Sequence, residues 1–283
     1  MKDQYGLDEA TLDKFITSVL AEDVGNGDIT SRITVPESVI FQAALITREP
    51  IIVAGIWIAA RFFRAMDASV KIEAFHNEGD HVTTGSTLMQ ISGNARAMLA
   101  AERSALNSLC HLSGIATLTG QYVAAIEGTG CVLLDTRKTT PGLRALEKFA
   151  ARAGGATNHR MRLDDGILIK DNHVRVARGI GEAVARAKAA NTGLPIQAEV
   201  DLLEQIEPAL AAGADRILCD NMTPAVLADA VRLIAGRVPI EASGGIRLEN
   251  IREYAQTGVD FVSVGRITQS ASAADIGLDY SHS

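Results

Sequence analysis

The chain has 283 residues, which is enough for one large domain or two domains of ordinary size. Its composition, with 47% hydrophobic and 22% charged residues, is that of a globular protein rather than a disordered or fibrous one. The net charge of −7 argues against a nucleic-acid binder, because such a protein is expected to be basic as a whole.

The cysteines and the apolar runs indicate the cellular compartment of the protein. Cys110, Cys131 and Cys219 are odd in number and scattered, with no CxxC pair, which favours a reduced compartment and argues against a zinc site. The N-terminus lacks the pattern of a secretory signal. No apolar run approaches the ~20 residues of a membrane span. We therefore expect a soluble cytoplasmic protein with neither membrane nor nucleic-acid partners.

The first 112 residues predict a mixture of helices and strands. A helical pattern leads into the Gly/Asp-rich loop EDVGNGDITS, and two short strands and a helix follow it. The segment Glu78–Gly93 predicts a small β-hairpin with turns at Gly79 and Gly85. The predicted helices and strands of this region are Leu12–Ala21, Gln42–Thr47, Ile51–Val53, Trp57–Met66 and Ala95–Leu112.

The second half of the chain repeats one unit, in which a short apolar run ends at a polar residue or glycine and an Ala-rich helical stretch follows. Near-continuous apolar strands that alternate with helices predict a parallel sheet. Six repeats, with room for one or two more, favour a closed or nearly closed α/β barrel, whose chemistry gathers at the carboxyl ends of the strands. An open doubly wound sheet is less favoured, because no GxGxxG follows the first strand. The runs are Cys131–Leu134, Ile167–Ile169, Ile196–Ala198, Arg216–Cys219, Pro239–Ala242 and Phe261–Val264.

The segment Asp135–His173 concentrates positive charge, with eight Lys or Arg against five Asp or Glu in an acidic protein. Such a concentration predicts a pocket for anionic small molecules. Three of the cations follow Pro141 in a helical pattern and are assigned to the solvated or packing face of that helix, namely Arg144, Lys148 and Arg152. The side chains assigned to the pocket are Arg137, Lys138, His159, Arg160 and Lys170.

Each of these side chains stands at a strand end or in a glycine-bearing loop. Arg137 and Lys138 follow a strand directly, and together offer a planar fork and a point charge to a carboxylate or phosphate. His159 and Arg160 follow a Gly-Gly loop that permits close approach of a ligand. Lys170 ends an apolar strand and has two interpretations, either a contact to an anion or a Schiff-base nucleophile.

The later strands end in carboxylates and then in glycines. Glu199 and Asp220 end consecutive strands and are candidate ligands for Mg²⁺ bound together with a polyphosphate. The alternative is a pair of salt bridges to Lys138 or Lys170, and both arrangements can hold in different states. The turns EASGGI and VSVGRI come at the last two strand ends and are typical of phosphate sites in α/β barrels.

Long motifs in this chain resemble the quinolinate phosphoribosyltransferase family. The likeness runs from about residue 7 to residue 279, and the early loop EDVGNGDIT fits it as well. The motifs that carry it are AERSALNSLCHLSGIATLT, DTRKTTPGLRALEKFAARAGG, NHRM, ILIKDNHV, EVD, DNM, EASGGI and YAQTGVDFVSVG.

The resemblance implies an architecture and a reaction. It implies an N-terminal α/β sandwich over residues 1–112, with the tail 270–283 packed back on it, and an open TIM-like α/β barrel over residues 113–269, as in type II phosphoribosyltransferases. It implies a head-to-tail homodimer with shared active sites and leaves a higher oligomer open. The reaction would convert quinolinate and 5-phosphoribosyl 1-pyrophosphate into nicotinate mononucleotide, pyrophosphate and CO₂, with Mg²⁺, in NAD biosynthesis.

The resemblance also implies roles for individual residues, four of which would be catalytic: Lys138, Lys170, Glu199 and Asp220. The quinolinate carboxylates would meet Arg137, His159, Arg160 and Lys170, together with Arg103 of the other subunit. Lys138 would contact the phosphoribosyl substrate, and Glu199 and Asp220 would hold magnesium and the ribose hydroxyls. The 5′-phosphate region would comprise Ser243, Gly244 and Gly265.

The chain departs from the usual family pattern in two places. Arg266 stands where the family usually has a small residue, and Gln269 where it has a basic residue or histidine. Ala156 and Thr157 replace a glycine and a histidine of the glycine loop.

Two other functions stay open on the residues alone, namely a Schiff-base aldolase-type barrel that uses Lys170 and a non-catalytic anion-binding paralogue. Borohydride trapping would detect the first, and binding without turnover would identify the second.

Overall fold

The computed structural model describes residues 8–280, which form two compact units. The first unit contains the described residues through Thr119, together with Ala145–Gly155 and residues 271–280. The second unit contains Gly120–Arg144 and Ala156–Ser270. Among the helices described, none has both the length and the apolar character needed to cross a membrane.

The chain begins with helices and short strands and continues into a long helix. The predicted elements of this region form, and the helix predicted to begin at Ala95 extends beyond Leu112. In chain order the elements are α1 (Glu9–Val24), α2 (Ile29–Thr34), β1 (Ile40–Thr47), β2 (Ile51–Ile52), α3 (Ile56–Met66), β3 (Lys71–Ala74), β4 (His81–Val82), β5 (Thr87–Asn94) and α4 (Ala95–Ala125).

Strands and helices alternate through the rest of the chain. All six strands predicted there are present, and a last strand closes the described chain. The elements are β6 (Val132–Leu134), α5 (Arg144–Ala153), β7 (Ile167–Ile169), α6 (Asp171–Ala177), α7 (Ile180–Ala189), β8 (Ile196–Val200), a 3₁₀ turn (Leu203–Gln205), α8 (Ile206–Ala211), β9 (Arg216–Asp220), α9 (Pro224–Ile234), β10 (Ile240–Ser243), α10 (Ile251–Ala255), β11 (Phe261–Ser263), α11 (Arg266–Gln269) and β12 (Ile276–Tyr280).

The first unit is built on an antiparallel sheet with the strand order β12-β1-β5-β3. The side chains of β1 alternate, with Ala43, Leu45 and Thr47 buried, as expected for a strand with one face on a core. The last described strand returns to this sheet, because β12 pairs with β1 and sets Leu278 opposite Leu45. Residues near the end of the described chain therefore complete the sheet of the first unit.

The hairpin predicted for Glu78–Gly93 is wrong in its pairing. Gly79 and Gly85 both have positive φ, as turn glycines do, but β4 pairs with β2, whereas β5 pairs with β1 and β3. The Glu78 carboxylate accepts hydrogen bonds from the backbone N–H groups of Gly55 (2.6 Å) and Trp57 (3.4 Å) at the start of α3. This carboxylate satisfies backbone donors at the helix N-terminus, and the strand that follows it pairs with β2 rather than β5.

The second unit is a parallel sheet with the strand order β6-β11-β10-β9-β8-β7. Every neighbouring pair in it is parallel, and all five residues of β8 are buried. Within residues 8–280 the two edge strands, β6 and β7, do not pair with each other, so this is an open α/β barrel. Because the strands are parallel, their carboxyl ends meet at one edge and bring the residues that follow them together.

Candidate functional site

The carboxyl ends of the barrel strands surround a cavity of about 560 Å³. Its lining belongs to the second unit and includes most of the residues predicted from the sequence. Glu199 lies beside it through its contact with Lys170, and Arg103 is exposed on α4 in the first unit. The predicted residues that line the cavity are Arg137, Lys138, His159, Arg160, Lys170, Asp220, Ser243, Gly244 and Gly265.

A buried carboxylate attaches the glycine-bearing loop to the first barrel strand. Asp135, which is fully buried, directly follows β6 and accepts hydrogen bonds from the Asn158 side-chain amide (2.5 Å) and from the backbone N–H of His159 (2.8 Å). The Thr157 N–H also donates to the Leu133 carbonyl at 2.9 Å. These bonds fix the backbone of residues 157–159 beside β6 and so place His159 and Arg160 at the cavity.

Both ring nitrogens of His159 have partners in the protein. Nδ1 accepts a hydrogen bond from the backbone N–H of Arg160 at 2.7 Å. In the neutral ring the hydrogen must then be on Nε2, which lies 3.1 Å from Gln197 Oε1 and 3.4 Å from Glu241 Oε2. The ring is therefore held between the loop and two polar side chains of the barrel strands.

Two guanidinium groups lie close together in the cavity. Burial lowers the pKa of Arg160, the charge of Arg137 lowers it further, and Asp165 opposes both effects. Arg160 also donates from Nη1 to the Gly166 carbonyl at 2.9 Å, which fixes its direction. Like charges held together in a half-buried site favour the binding of an anion between them, and a dicarboxylate can satisfy two guanidinium forks.

The two predicted carboxylates lie at the carboxyl ends of the adjacent strands β8 and β9, where Glu199 is buried and Asp220 is partly buried. Burial raises the pKa of Glu199, and Asp220 adds to this shift, whereas the hydrogen bond and charge of Lys170 oppose it. Burial likewise raises the pKa of Asp220. The charge of Lys170 lowers this pKa, and the charge of Asp201 raises it. Of the pair of salt bridges considered from the sequence, the one between Glu199 and Lys170 is present, because Lys170 Nζ lies 2.5 Å from Glu199 Oε2. A cation beside these two carboxylates would offset the cost of burying them.

The carboxylates fit an ion that needs few protein ligands. Over residues 8–280, no group of three or more His, Cys, Asp or Glu side chains is arranged to hold a metal. Mg²⁺ commonly binds through one or two carboxylates and completes its shell with waters and substrate phosphates. Glu199 and Asp220 offer that donor set, with hard oxygen atoms only.

The late glycine turns bring backbone close to the cavity. Gly244 has φ +87°, and a Cβ there would lie 2.2 Å from Asn221 Oδ1. Asn221 itself has φ +56° and donates from its backbone N–H to the Ser243 carbonyl at 2.9 Å. At Gly265 a Cβ would lie 2.8 Å from Lys138 Cδ. The positive φ and the close Asn221 backbone favour glycine at position 244, and both turns bring backbone near the cavity, as phosphate-binding turns do.

Sequence reasoning missed four polar residues that organise the site. Asp135 and Gln197 hold the His159 loop, and Glu241 lies beside His159. The Asn221 side chain donates to Asp220 Oδ2 at 2.7 Å and so orients that carboxylate. The sequence held a signal for two of them, because Gln197 and Glu241 are polar residues in the interior of strands of a parallel sheet, where apolar residues are expected.

Comparisons with known proteins agree along almost the whole chain. The family models described as quinolinate phosphoribosyl transferase, N-terminal domain and C-terminal domain, match residues 28–113 and 115–279. A Mycobacterium leprae protein named nicotinate-nucleotide pyrophosphorylase [carboxylating] is 41% identical over 273 residues, covering 93% of this chain and 95% of that protein. A Bacillus subtilis protein with the name probable nicotinate-nucleotide pyrophosphorylase [carboxylating] is 39% identical over 269 residues, covering 95% of this chain and 93% of its own.

A solved structure gives the same result. The structure of the nicotinate-nucleotide pyrophosphorylase from Francisella tularensis superimposes with a TM-score of 0.94 at 37% identity, covering 99% of this chain and 100% of that one. The matching fold, the two family models and the relatives near 40% identity agree with one another. The chain belongs to the quinolinate phosphoribosyltransferase family.

Proposed function

We propose that this chain transfers the phosphoribosyl group of 5-phosphoribosyl 1-pyrophosphate to quinolinate with loss of CO₂. The products are nicotinate mononucleotide, pyrophosphate and CO₂, in the biosynthesis of NAD. The family and the names of the relatives support this activity. The observation that carries it is one cavity that combines crowded guanidinium groups, two carboxylates with raised pKa and two close-approach glycine turns.

The cationic end of the cavity suits the two carboxylates of quinolinate. Arg137 and Arg160 supply guanidinium forks, and Lys170 supplies an ammonium beside them. His159 lines the same end and supports the backbone of Arg160. We assign this end to the dicarboxylate because two fixed cations discriminate a dianion from a pyridine with a single carboxylate.

The opposite end suits the phosphoribosyl donor. Ser243, Gly244 and Gly265 face the cavity at the late turns, and Lys138 lies against Gly265. We assign the 5′-phosphate to these turns and a contact with the donor to Lys138. Glu199 and Asp220 would hold Mg²⁺ and the ribose hydroxyls. When bound, this ion supplies positive charge that stabilises the departing pyrophosphate.

The chemistry needs little from the protein beyond placement. The pyridine nitrogen is the nucleophile: its lone pair forms the bond to C1 of the ribose while the bond from C1 to the pyrophosphate oxygen breaks. The ring nitrogen then carries a positive charge. The 2-carboxylate leaves as CO₂, its bonding electron pair stays on C2, and a proton adds there. The cavity residues hold a dianion and a polyphosphate in line, which accounts for the excess of cations over nucleophiles.

The alternative functions receive less support. A Schiff-base lysine needs a free amine lone pair, whereas Lys170 Nζ donates to the buried Glu199 carboxylate at 2.5 Å. A non-catalytic paralogue would not need the paired carboxylates Glu199 and Asp220, whose burial raises the pKa of both. Groups with perturbed pKa values in a cavity favour a catalytic role.

Assembly and location complete the proposal. We include a homodimer with shared active sites, in which Arg103 of a second copy reaches the dicarboxylate end. In support of the dimer, Arg103 is exposed on α4.

We also include a cytoplasmic location, which the free cysteines support. Burial raises the pKa of Cys131 and Cys219 to about 12, as expected of unreactive thiols.

Release of labelled CO₂ tests the proposed function. Quinolinate labelled in its 2-carboxylate should lose that label only when the phosphoribosyl donor and Mg²⁺ are present. Arg137→Ala should lower kcat/KM for quinolinate by about 100-fold or more, because a charged hydrogen-bond fork to the substrate is lost. Circular dichroism and Tm should be unchanged, since Arg137 is only half-buried. A wild-type chain that releases no label, or an Arg137→Ala variant with normal turnover, overturns the proposal.

A further inference from the structure

A buried glutamate that is not one of the two proposed metal ligands also contributes to the lining of this cavity. Glu241 is the second residue of β10, is 1% exposed and contributes to the cavity lining. Its Oε2 accepts a hydrogen bond from Gln197 Nε2 at 2.7 Å and lies 3.4 Å from Arg216 Nη1. A carboxylate in a site that binds anions repels the ligand, and its burial carries a desolvation free energy. The presence of Glu241 therefore needs an explanation.

The surroundings keep Glu241 in its charged form. Burial by itself raises its pKa, but the hydrogen bonds from His159, Gln197 and Ser263 act against burial, and the net result is a lowered pKa. The carboxylate is therefore ionised at neutral pH. Its other oxygen, Oε1, is buried and has no partner at full hydrogen-bond geometry in the described part of the chain, although the Ser263 hydroxyl is near enough to the carboxylate to lower its pKa as well. A half-satisfied buried carboxylate is a costly way to fill a core position.

A chain of contacts leads from Glu241 to the cationic end of the cavity. Glu241 Oε2 lies 3.4 Å from His159 Nε2, and His159 Nδ1 accepts the backbone N–H of Arg160 at 2.7 Å. The ring can accept that N–H only when its hydrogen is on Nε2, the nitrogen nearest Glu241. The carboxylate, together with Gln197 Oε1 at 3.1 Å, thus favours the tautomer that holds the backbone of Arg160.

We propose that Glu241 is a positioning residue for the dicarboxylate end of the cavity, where it fixes the ring of His159 and thereby the backbone that aims Arg160 at a substrate carboxylate. The inference rests on the proposed function, because it assigns this end of the cavity to quinolinate. It adds a residue that touches neither substrate and acts through another side chain. Gln197 assists, since it bonds both His159 and Glu241.

A merely structural role would be to neutralise Arg216. That guanidinium lies 3.9 Å over the Phe261 ring and 3.4 Å from Glu241. If charge balance were the only role, removal of both charges in Arg216→Met/Glu241→Gln would restore what Glu241→Gln alone loses. If Glu241 acts through His159, the double variant stays defective, because Arg216 has no part in the contact to His159.

The test is quinolinate affinity measured without turnover. Glu241→Gln keeps the shape and removes the charge, and calorimetry should give a Kd for quinolinate at least about tenfold weaker. The KM for the phosphoribosyl donor should change by less than about twofold, since that end of the cavity is untouched. The matched control is Glu207→Gln, an exposed glutamate paired with Arg237, which should leave both constants unchanged.

Three results decide the inference. Unchanged quinolinate affinity in Glu241→Gln overturns it, and so does recovery of affinity in Arg216→Met/Glu241→Gln. A selective loss that the double variant retains supports it. If Glu241→Gln does not fold, Glu241→Asp serves instead, because it keeps the charge but withdraws the carboxylate from His159, and it should show the same selective loss. A wild-type chain that binds quinolinate but forms no product refutes the proposed function and leaves this comparison intact.

Discussion

Lys170 donates a hydrogen bond from Nζ to Oε2 of Glu199 over 2.5 Å and so joins the ends of two neighbouring barrel strands. The Glu199 side chain is 5% exposed and that of Lys170 is 44% exposed. The pair therefore couples a buried carboxylate to an ammonium that faces the cavity. Lys170 offsets the burial of Glu199 and remains open on its other side to an anion.

Removal of the ammonium should destabilise the fold in a pH-dependent way. Lys170→Met leaves Glu199 buried without its cation, so its already raised pKa rises further. We expect a loss of about 1 kcal/mol at pH 8, a modest value because Lys170 is partly solvated. A carboxyl group with a raised pKa is destabilising above that pKa and not below it, so the loss should shrink at pH 4. Urea denaturation at both pH values measures it.

The control for this variant is Lys170→Met/Glu199→Gln. Without the buried carboxylate, the double variant should regain the lost stability at pH 8. An equal loss at pH 4 and pH 8, or no recovery in the double variant, would show that the pair does not act in this way.

Replacement of the Asp220 carboxylate should stabilise the fold and lower the activity. Its pKa is raised chiefly by burial, so the ionised form is disfavoured in the folded chain and destabilises it once the pH exceeds that pKa. Asp220→Asn should therefore raise Tm at pH 8 by a few degrees, with a smaller gain at pH 4, while kcat falls by about 100-fold or more. Thermal denaturation and product assays measure the two effects. A lower Tm at pH 8 with normal kcat would contradict the placement of Asp220 in the site.

Two adjacent glycines provide a matched pair at the phosphate turn. Gly244→Ala puts a Cβ 2.2 Å from Asn221 Oδ1, whereas Gly245→Ala, with φ +66°, meets nothing within 4 Å. Gly245→Ala should cost roughly 1 kcal/mol from its left-handed backbone alone. Gly244→Ala should cost more and also raise KM for the phosphoribosyl donor, because Asn221 must move and it orients Asp220. If Gly244→Ala and Gly245→Ala changed stability and KM by the same amounts, Gly244 would have no special role.

Mixed variants test the shared active site. Arg103→Ala and Arg137→Ala should each abolish turnover as pure proteins. After subunit exchange, each mixed dimer would contain one site with both arginines intact, so activity should return to about a quarter of the wild-type value. The measurement is CO₂ release before and after mixing. No recovery on mixing, with subunit exchange verified by mass spectrometry, would refute the shared site.

Much of the barrel and of its cationic end could be predicted from the sequence, because their signals are local. Six apolar runs each end at a polar residue or glycine, and parallel strands bring such ends to one edge. Arg137, Lys170 and Asp220 were placed in this way, and all three line the cavity.

Side chains that act across the sheet could not be placed in the same way. Glu241 and Gln197 lie inside strands, and their contact depends on which face of each strand turns inward. Pairing between strands is also non-local, which is why the hairpin predicted at Glu78–Gly93 was wrong: β4 pairs with the earlier strand β2, and Glu78 contacts the start of α3. The helix α5 formed as predicted, yet its Lys148 is fully buried, which the local pattern did not distinguish from exposure.

A comparison of two acceptors tests the central claim most directly. The chain is incubated with 5-phosphoribosyl 1-pyrophosphate and Mg²⁺, and with either quinolinate or nicotinate, and the products are identified by chromatography and mass. The account predicts nicotinate mononucleotide from quinolinate only, with one CO₂ for each molecule formed, because Arg137 and Arg160 are held for a dicarboxylate. Nicotinate mononucleotide formed from nicotinate, or from neither acceptor, would contradict it.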